Sequence, residues 1–126
     1  MMNTSVLVVD DSATIRQLIG IALREAGLDV VEANDGVEGI EKIRAGGIDC
    51  VICDHNLPRK CGLQLLEEIK QDAEFASIPI VMLSNEGAEE LVGQAKAAGA
   101  AAWIVKPCDP PMIVDAVKKL LQETVA

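Results

Sequence analysis

Five short aliphatic runs alternate with five segments of helical period along this chain, and acidic side chains gather where the first and third runs stop. Ser5 to Val9 is a β-branched run. Thr14 to Ala26 then places Ile15, Leu18, Ile19, Ala22 and Leu23 on one helical stripe that Gly27 ends. Asp29 to Ala33 is a second short strand, followed by a helix from Gly36 to Ala45 with Val37, Ile40 and Ile43 at helical spacing and Gly46-Gly47 behind it. The third strand is expected from Asp49 to Cys53. It leads through the irregular stretch Leu57-Pro58-Arg59-Lys60 to a helix from Gly62 that carries Leu65, Leu66 and Ile69. Pro79 opens a fourth strand, Ile80 to Leu83. Glu86 to Ala98 reads as helix, Ala102 to Val105 as the fifth strand, and Pro110 to Glu123 as a last helix with proline in its first turn.

Strands built from continuous aliphatic runs, rather than strict alternation, belong to a parallel sheet covered by helices on both faces. The expected architecture is therefore α/β: a doubly wound, flavodoxin-like (βα)5 fold, in which ligand sites lie beyond the carboxyl ends of the strands. The 126 residues suffice for one hydrophobic core and not for two, so residues 1–126 are expected to form a single domain.

Composition narrows the partners. Twenty Asp and Glu stand against eleven Lys and Arg, a formal charge of −9, which opposes binding to nucleic acid or an anionic membrane. One Trp, one Phe and no Tyr leave no platform for stacked bases. No apolar run approaches the ~18 residues of a membrane span, and the first residues lack the pattern of a secretory signal. A soluble, cytoplasmic domain is expected. Cys50, Cys53, Cys61 and Cys108 read as reduced thiols, because a domain with this much aliphatic core needs no disulfide framework. Cys50 and Cys53, three apart on a strand, point to opposite faces and are poorly placed to share a metal.

The chemistry concentrates at the strand ends. Asp10-Asp11 follows the first strand, Asp54 and Asn56 the third, Ser84 the fourth and Lys106-Pro107 the fifth. A helix N-cap accounts for one acid after a strand, and Asp11 or Ser12 fits that role for the first helix. The set needs more, since like charges ~4 Å apart repel by roughly 4 kcal/mol at an effective dielectric near 20. A divalent cation and Lys106 are the natural compensation, and an all-oxygen ligand set with one or two direct carboxylates suits Mg²⁺.

The segments VLVVDDSATIR, VICDHNLPRKCG, IPIVMLS and AAWIVKP, in this order, resemble the receiver domain of bacterial response regulators, over Val6 to about Leu121. A chemotaxis regulator of that family has the strand order 2-1-3-4-5, so the resemblance implies this order here. It implies further that Asp54 is the phosphoacceptor, and that Asp11, Asp54 and the backbone carbonyl of Asn56 ligate Mg²⁺ with Asp10 assisting. By the same resemblance Lys106 and Ser84 contact the phosphoryl oxygens, and Trp103, three before the lysine, is the aromatic switch. His55 stands where the family more often has an apolar residue, and is expected to be a bystander. Asn56 and Glu86 occupy positions that the family associates with the rate of self-dephosphorylation.

With no output domain expected after Ala126, the signal would leave through a protein partner, on the face made by the fourth helix, fifth strand and fifth helix. The implied partners are a sensor histidine kinase or phosphotransfer protein and a downstream protein effector, with no nucleic acid, no membrane and a monomeric state. The activity implied is self-catalysed phosphoryl transfer to Asp54 and its reversal, not turnover of a separate substrate. A rival reading is a receiver fold that docks to its partner without phosphorylation. A flavodoxin-like cofactor protein would need a Ser/Thr/Gly-rich phosphate loop where Asp10-Asp11 stands, and no G-x-G-x-x-G follows any strand.

Overall fold

In the computed structural model, which describes residues 4–85, 89–106 and 109–125, the described residues form five parallel strands and five helices in strict alternation. The strands are β1 (Ser5–Val9), β2 (Asp29–Ala33), β3 (Cys50–Asp54), β4 (Ile80–Ser84) and β5 (Ala102–Val105). The helices are α1 (Ala13–Glu25), α2 (Gly36–Arg44), α3 (Gly62–Lys70), α4 (Glu89–Ala97) and α5 (Pro110–Val125). Strand order is β2-β1-β3-β4-β5, the order the resemblance implied.

The pleat of the central strands sorts their side chains into two cores. Leu7, Val9, Val51, Cys53, Ile80 and Met82 face α2 and α3, where Ile40, Ile43, Leu65, Leu66 and Ile69 close over them; Ala95 of α4 joins this side. Val6, Val8, Cys50, Ile52, Val81 and Leu83 face α1 and α5, against Ile19, Leu23, Ile113, Val114 and Val117. Burial on both faces is why these strands read as unbroken aliphatic runs. Cys50 and Cys53 fall on opposite sides of the sheet, as their spacing required. Burial pushes both thiols up, Cys50 to about 12, so neither is a thiolate at neutral pH. Cys108 lies outside the described residues, as does the Glu86 start expected for the fourth helix.

The register fixes which residues share the rim. Val9 pairs with Cys53, so Asp10 and Asp54 leave the sheet side by side. Asp54 pairs with Leu83, and Ser84 with Val105, which brings Ser84 and Lys106 to the same edge. β3 runs one residue later at both ends than its aliphatic run, because Asp54 stays in the ladder and the next N–H, of His55, donates to Leu83 O at 2.8 Å. β4 extends to Ser84 for the same reason: its carbonyl accepts from Lys106 N at 2.7 Å. Asp54 and Ser84 thus stand on paired backbone, and the residues that follow them leave the sheet from a fixed edge.

No helix of the described residues is long and apolar enough to cross a membrane.

Candidate functional site

Asp10 and Asp54 are both nearly sealed from solvent, 1% and 4% exposed, at the ends of adjacent central strands. Each divides its carboxylate in the same way. One oxygen accepts from the N–H two residues on: Ser12 N to Asp10 Oδ1 at 2.9 Å, and Asn56 N to Asp54 Oδ1 at 3.1 Å. These local turns are the usual habit of aspartate at a strand exit. The other oxygen of each accepts from Lys106 Nζ, at 3.2 Å for Asp10 Oδ2 and 2.9 Å for Asp54 Oδ2.

Lys106 therefore spans the two acids with a side chain only 15% exposed. Burial alone would lower its pKa, but the hydrogen bond to Asp54 and the charges of Asp54 and Asp10 outweigh that and hold it above the ordinary lysine value. One ammonium is shared by two buried carboxylates, and the exposed Asp11 adds a third close by. One carboxylate oxygen from each of Asp10, Asp11 and Asp54 lies within 4.8 Å of the other two. Three acids against one cation leave the cluster net negative. That charge balance and the all-oxygen donor set fit a divalent metal, with Asp10, Asp11 and Asp54 able to hold it.

Asp11 is free to face the cluster because it does not cap α1; Ser12 does, its Oγ accepting from Ile15 N at 3.3 Å. Ser84, with its side chain fully buried, ends β4 beside the Asp54 strand. Trp103 stands on β5 opposite Met82 and is partly buried against the α2/α3 core. Asn56, expected as a ligand through its carbonyl, is tied to Asp54 by its N–H.

Several supporting contacts join residues far apart in the sequence, although Asp35 with Glu38 three residues on carried a local N-cap signal. Arg16 on α1 donates to the carbonyl of Asp10 and, through Nε, to Glu32 at 3.1 Å, fastening the exit of β1 to α1 and β2. Asp35 caps α2 by accepting from Glu38 N at 2.8 Å, and its other oxygen accepts from Arg59 Nε and Nη2 at 2.9 and 2.7 Å. The Glu38 N–H, and after it Arg59, hold the Asp35 carboxyl below the usual aspartate value against the opposing effect of burial. Arg59 adopts the left-handed conformation, φ 64°, to make this clamp. Next to it the loop presses so close that a Cβ on Gly36 would lie 2.2 Å from Lys60 O. A Cβ on Gly62 would likewise lie 2.6 Å from Asp54 O. Both ends of the β3–α3 loop are pinned, and with them Asn56. His55, expected to be a bystander, places its ring against Trp103.

Residues 6–118 match the family model for the response regulator receiver domain. The chain is 39% identical over 117 residues to the chemotaxis protein CheY1 of Helicobacter pylori, covering 91% of this chain and 94% of that protein. It is 31% identical to the chemotaxis protein CheY-3 of Vibrio cholerae, over 95% of this chain and 93% of the relative. Among solved structures, the chemotaxis protein CheY4 of Vibrio cholerae superposes with a TM-score of 0.88 at 33% identity, covering 94% of this chain and 99% of the other. A CheY-like receiver domain protein from Methanospirillum hungatei superposes with a TM-score of 0.92 at 27% identity, over 98% of both chains. With its sheet order, its paired acids and its bridging lysine all in agreement, the chain belongs to the response regulator receiver domain family, whose members signal rather than turn over a substrate.

Proposed function

We propose that this protein is a stand-alone response regulator in which Asp54 accepts a phosphoryl group from a phosphohistidine on a sensor kinase or phosphotransfer protein. The observation that carries the reading is the shared ammonium: Lys106 already bridges the buried acceptor and its neighbour Asp10.

An oxygen of Asp54 attacks phosphorus as the P–N bond to the donor imidazole breaks, and the imidazole keeps the bonding pair and takes a proton from solvent. A carboxylate nucleophile needs no general base, and the work of the site is positioning and charge stabilisation. Asp10, Asp11, Asp54 and the Asn56 carbonyl would hold Mg²⁺, which when bound neutralises charge on the transferring oxygens. Lys106 follows the new negative charge, leaving Asp10 for a phosphoryl oxygen, and the Ser84 hydroxyl donates to another. Hydrolysis of the acyl phosphate by water restores Asp54.

An apolar groove of about 390 Å³ beside Lys106, lined by Ile15, Leu18, Pro110 and Ile113, offers an apolar surface of the phosphohistidine donor a place to rest next to the acceptor. Leu18 in its wall is exposed. The signal leaves on the α4–β5–α5 side, where Trp103, Glu89, Glu90, Lys118 and Lys119 lie. The chemotaxis proteins among the relatives favour that kind of pathway. The charge of −9 disfavours a nucleic-acid or anionic-membrane partner.

Acetyl phosphate with Mg²⁺ tests the reading by intact mass. One phosphoryl group is expected on the wild type and none after Asp54→Asn or addition of EDTA. Full labelling of Asp54→Asn would overturn the assignment, and failure to label the wild type would favour phosphorylation-independent docking.

A further inference from the structure

The residue after the acceptor carries an imidazole whose centroid is 5.9 Å from that of the Trp103 ring, with the planes tilted by 46°. We propose that this contact is a latch, in which His55 holds Trp103 in its resting position and so sets how readily occupancy of Asp54 moves it. The proposal rests on the reading of Asp54 as acceptor and Trp103 as switch, and it adds the positioning residue that couples them.

The two rings stand on unequal mounts. The backbone of His55 is bonded on both sides: its N–H donates to Leu83 O, and its carbonyl accepts from Leu57 N at 3.1 Å and Gly62 N at 3.0 Å. Gly62 presses against it so closely that a Cβ there would sit 2.8 Å from His55 Cα. The His55 backbone is therefore held in place beside Asp54. Trp103 stands on β5, an edge strand paired to β4 alone and only partly buried. A tilted ring pair is attractive beyond the area it buries, so the fixed ring biases the movable one.

The His55 ring is not held there by hydrogen bonding through its inner nitrogen. Nδ1 is buried and has no hydrogen-bond partner among the described residues. A buried nitrogen left so is unfavourable, and packing against Trp103 offsets it. Replacement by an apolar ring of similar shape should remove the penalty and keep the contact, whereas truncation should remove both.

This gives two substitutions with opposite outcomes. Beryllofluoride with saturating Mg²⁺ mimics the phosphoryl group; fluorine NMR reads its occupancy and the emission of Trp103 reads the switch. His55→Ala is expected to lower the beryllofluoride midpoint by about two- to tenfold, the range a ring contact supports. His55→Phe is expected to leave it unchanged or raise it. In a Trp103→Ala background, with occupancy read by fluorine NMR, His55→Ala should no longer shift the midpoint. An unchanged or higher midpoint for His55→Ala, a fall for His55→Phe, or a shift that survives without Trp103 would overturn the latch. Wild-type protein that binds beryllofluoride with no change in emission would overturn the switch reading beneath it, and wild-type protein that does not bind it would overturn the acceptor reading.

Discussion

β3 and β5 approach the same rim with opposite characters. Every residue of β3 is buried, and its last, Asp54, is still paired in the sheet. β5 is an edge strand whose residues are half-buried, and Val105, just before Lys106, is 46% exposed. On the proposed reading, the acceptor Asp54 ends a central strand buried along its whole length, whereas Trp103 and Lys106, which would respond to its charge, stand on or just after the half-buried edge strand. Alignment requires rigidity and signalling requires a second accessible arrangement, and the fold separates the two by strand.

The contrast breaks most visibly in the core. Ile52→Ala, in the middle of β3, should cost about 2–5 kcal/mol, as for a fully buried aliphatic side chain. Ile104→Ala on β5 should cost roughly half of that, since its side chain is only partly buried. Urea unfolding of the two variants checks this, and equal losses would remove the stiffness difference.

At the rim the same difference is tested by Lys106→Ala. It leaves two buried carboxylates without their shared cation and should destabilise by on the order of 2 kcal/mol without metal, the scale of a charged hydrogen bond. Mg²⁺ should restore more stability to this variant than to the wild type, because it replaces the missing charge. Thermal melts with and without Mg²⁺ read both effects. Because the folded lysine value is raised, its contribution is fully present below the unfolded value near 10.4. It is lost as pH rises through the higher folded value, so the wild type should lose stability there and Lys106→Ala should not.

The smallest effect lies in the clamp behind the loop. Arg59→Ala should cost about 1 kcal/mol or less, because the guanidinium is largely exposed. Asp35→Ala removes the α2 cap as well and should cost about 1–2 kcal/mol. The Asp35 carboxyl is held low, so its contribution is present above the unfolded aspartate value near 3.9 and disappears as pH falls through the lower folded value. Acid unfolding midpoints of Asp35→Ala and the wild type should converge below that range.

Much of this was legible in order but not in pairing. Continuous aliphatic runs announced buried parallel strands, and the acids at 10, 11 and 54 read as a candidate cation site because each follows such a run, at the end of the sheet where ligands bind. The strand order is not written in periodicity and came only with the family resemblance. Asp54 and Ser84 read as loop residues because polar side chains end an apolar run, yet their backbones remain in the ladder. The Asp35–Arg59 clamp joins two ordinary charged residues across two elements, and the His55–Trp103 contact joins β3 to β5 across β4. Neither leaves a pattern along the chain.

On the proposed reading, charge gained at Asp54 moves Trp103 on the edge strand, and Trp103 is the only tryptophan in a chain without tyrosine. The direct measurement is Trp103 emission against the fraction of Asp54 occupied, as beryllofluoride is titrated with Mg²⁺ present. Emission should change in proportion to occupancy, and Ser84→Ala should bind the ions with a smaller change. Full occupancy of Asp54 with unchanged emission and unchanged acrylamide quenching would contradict the account.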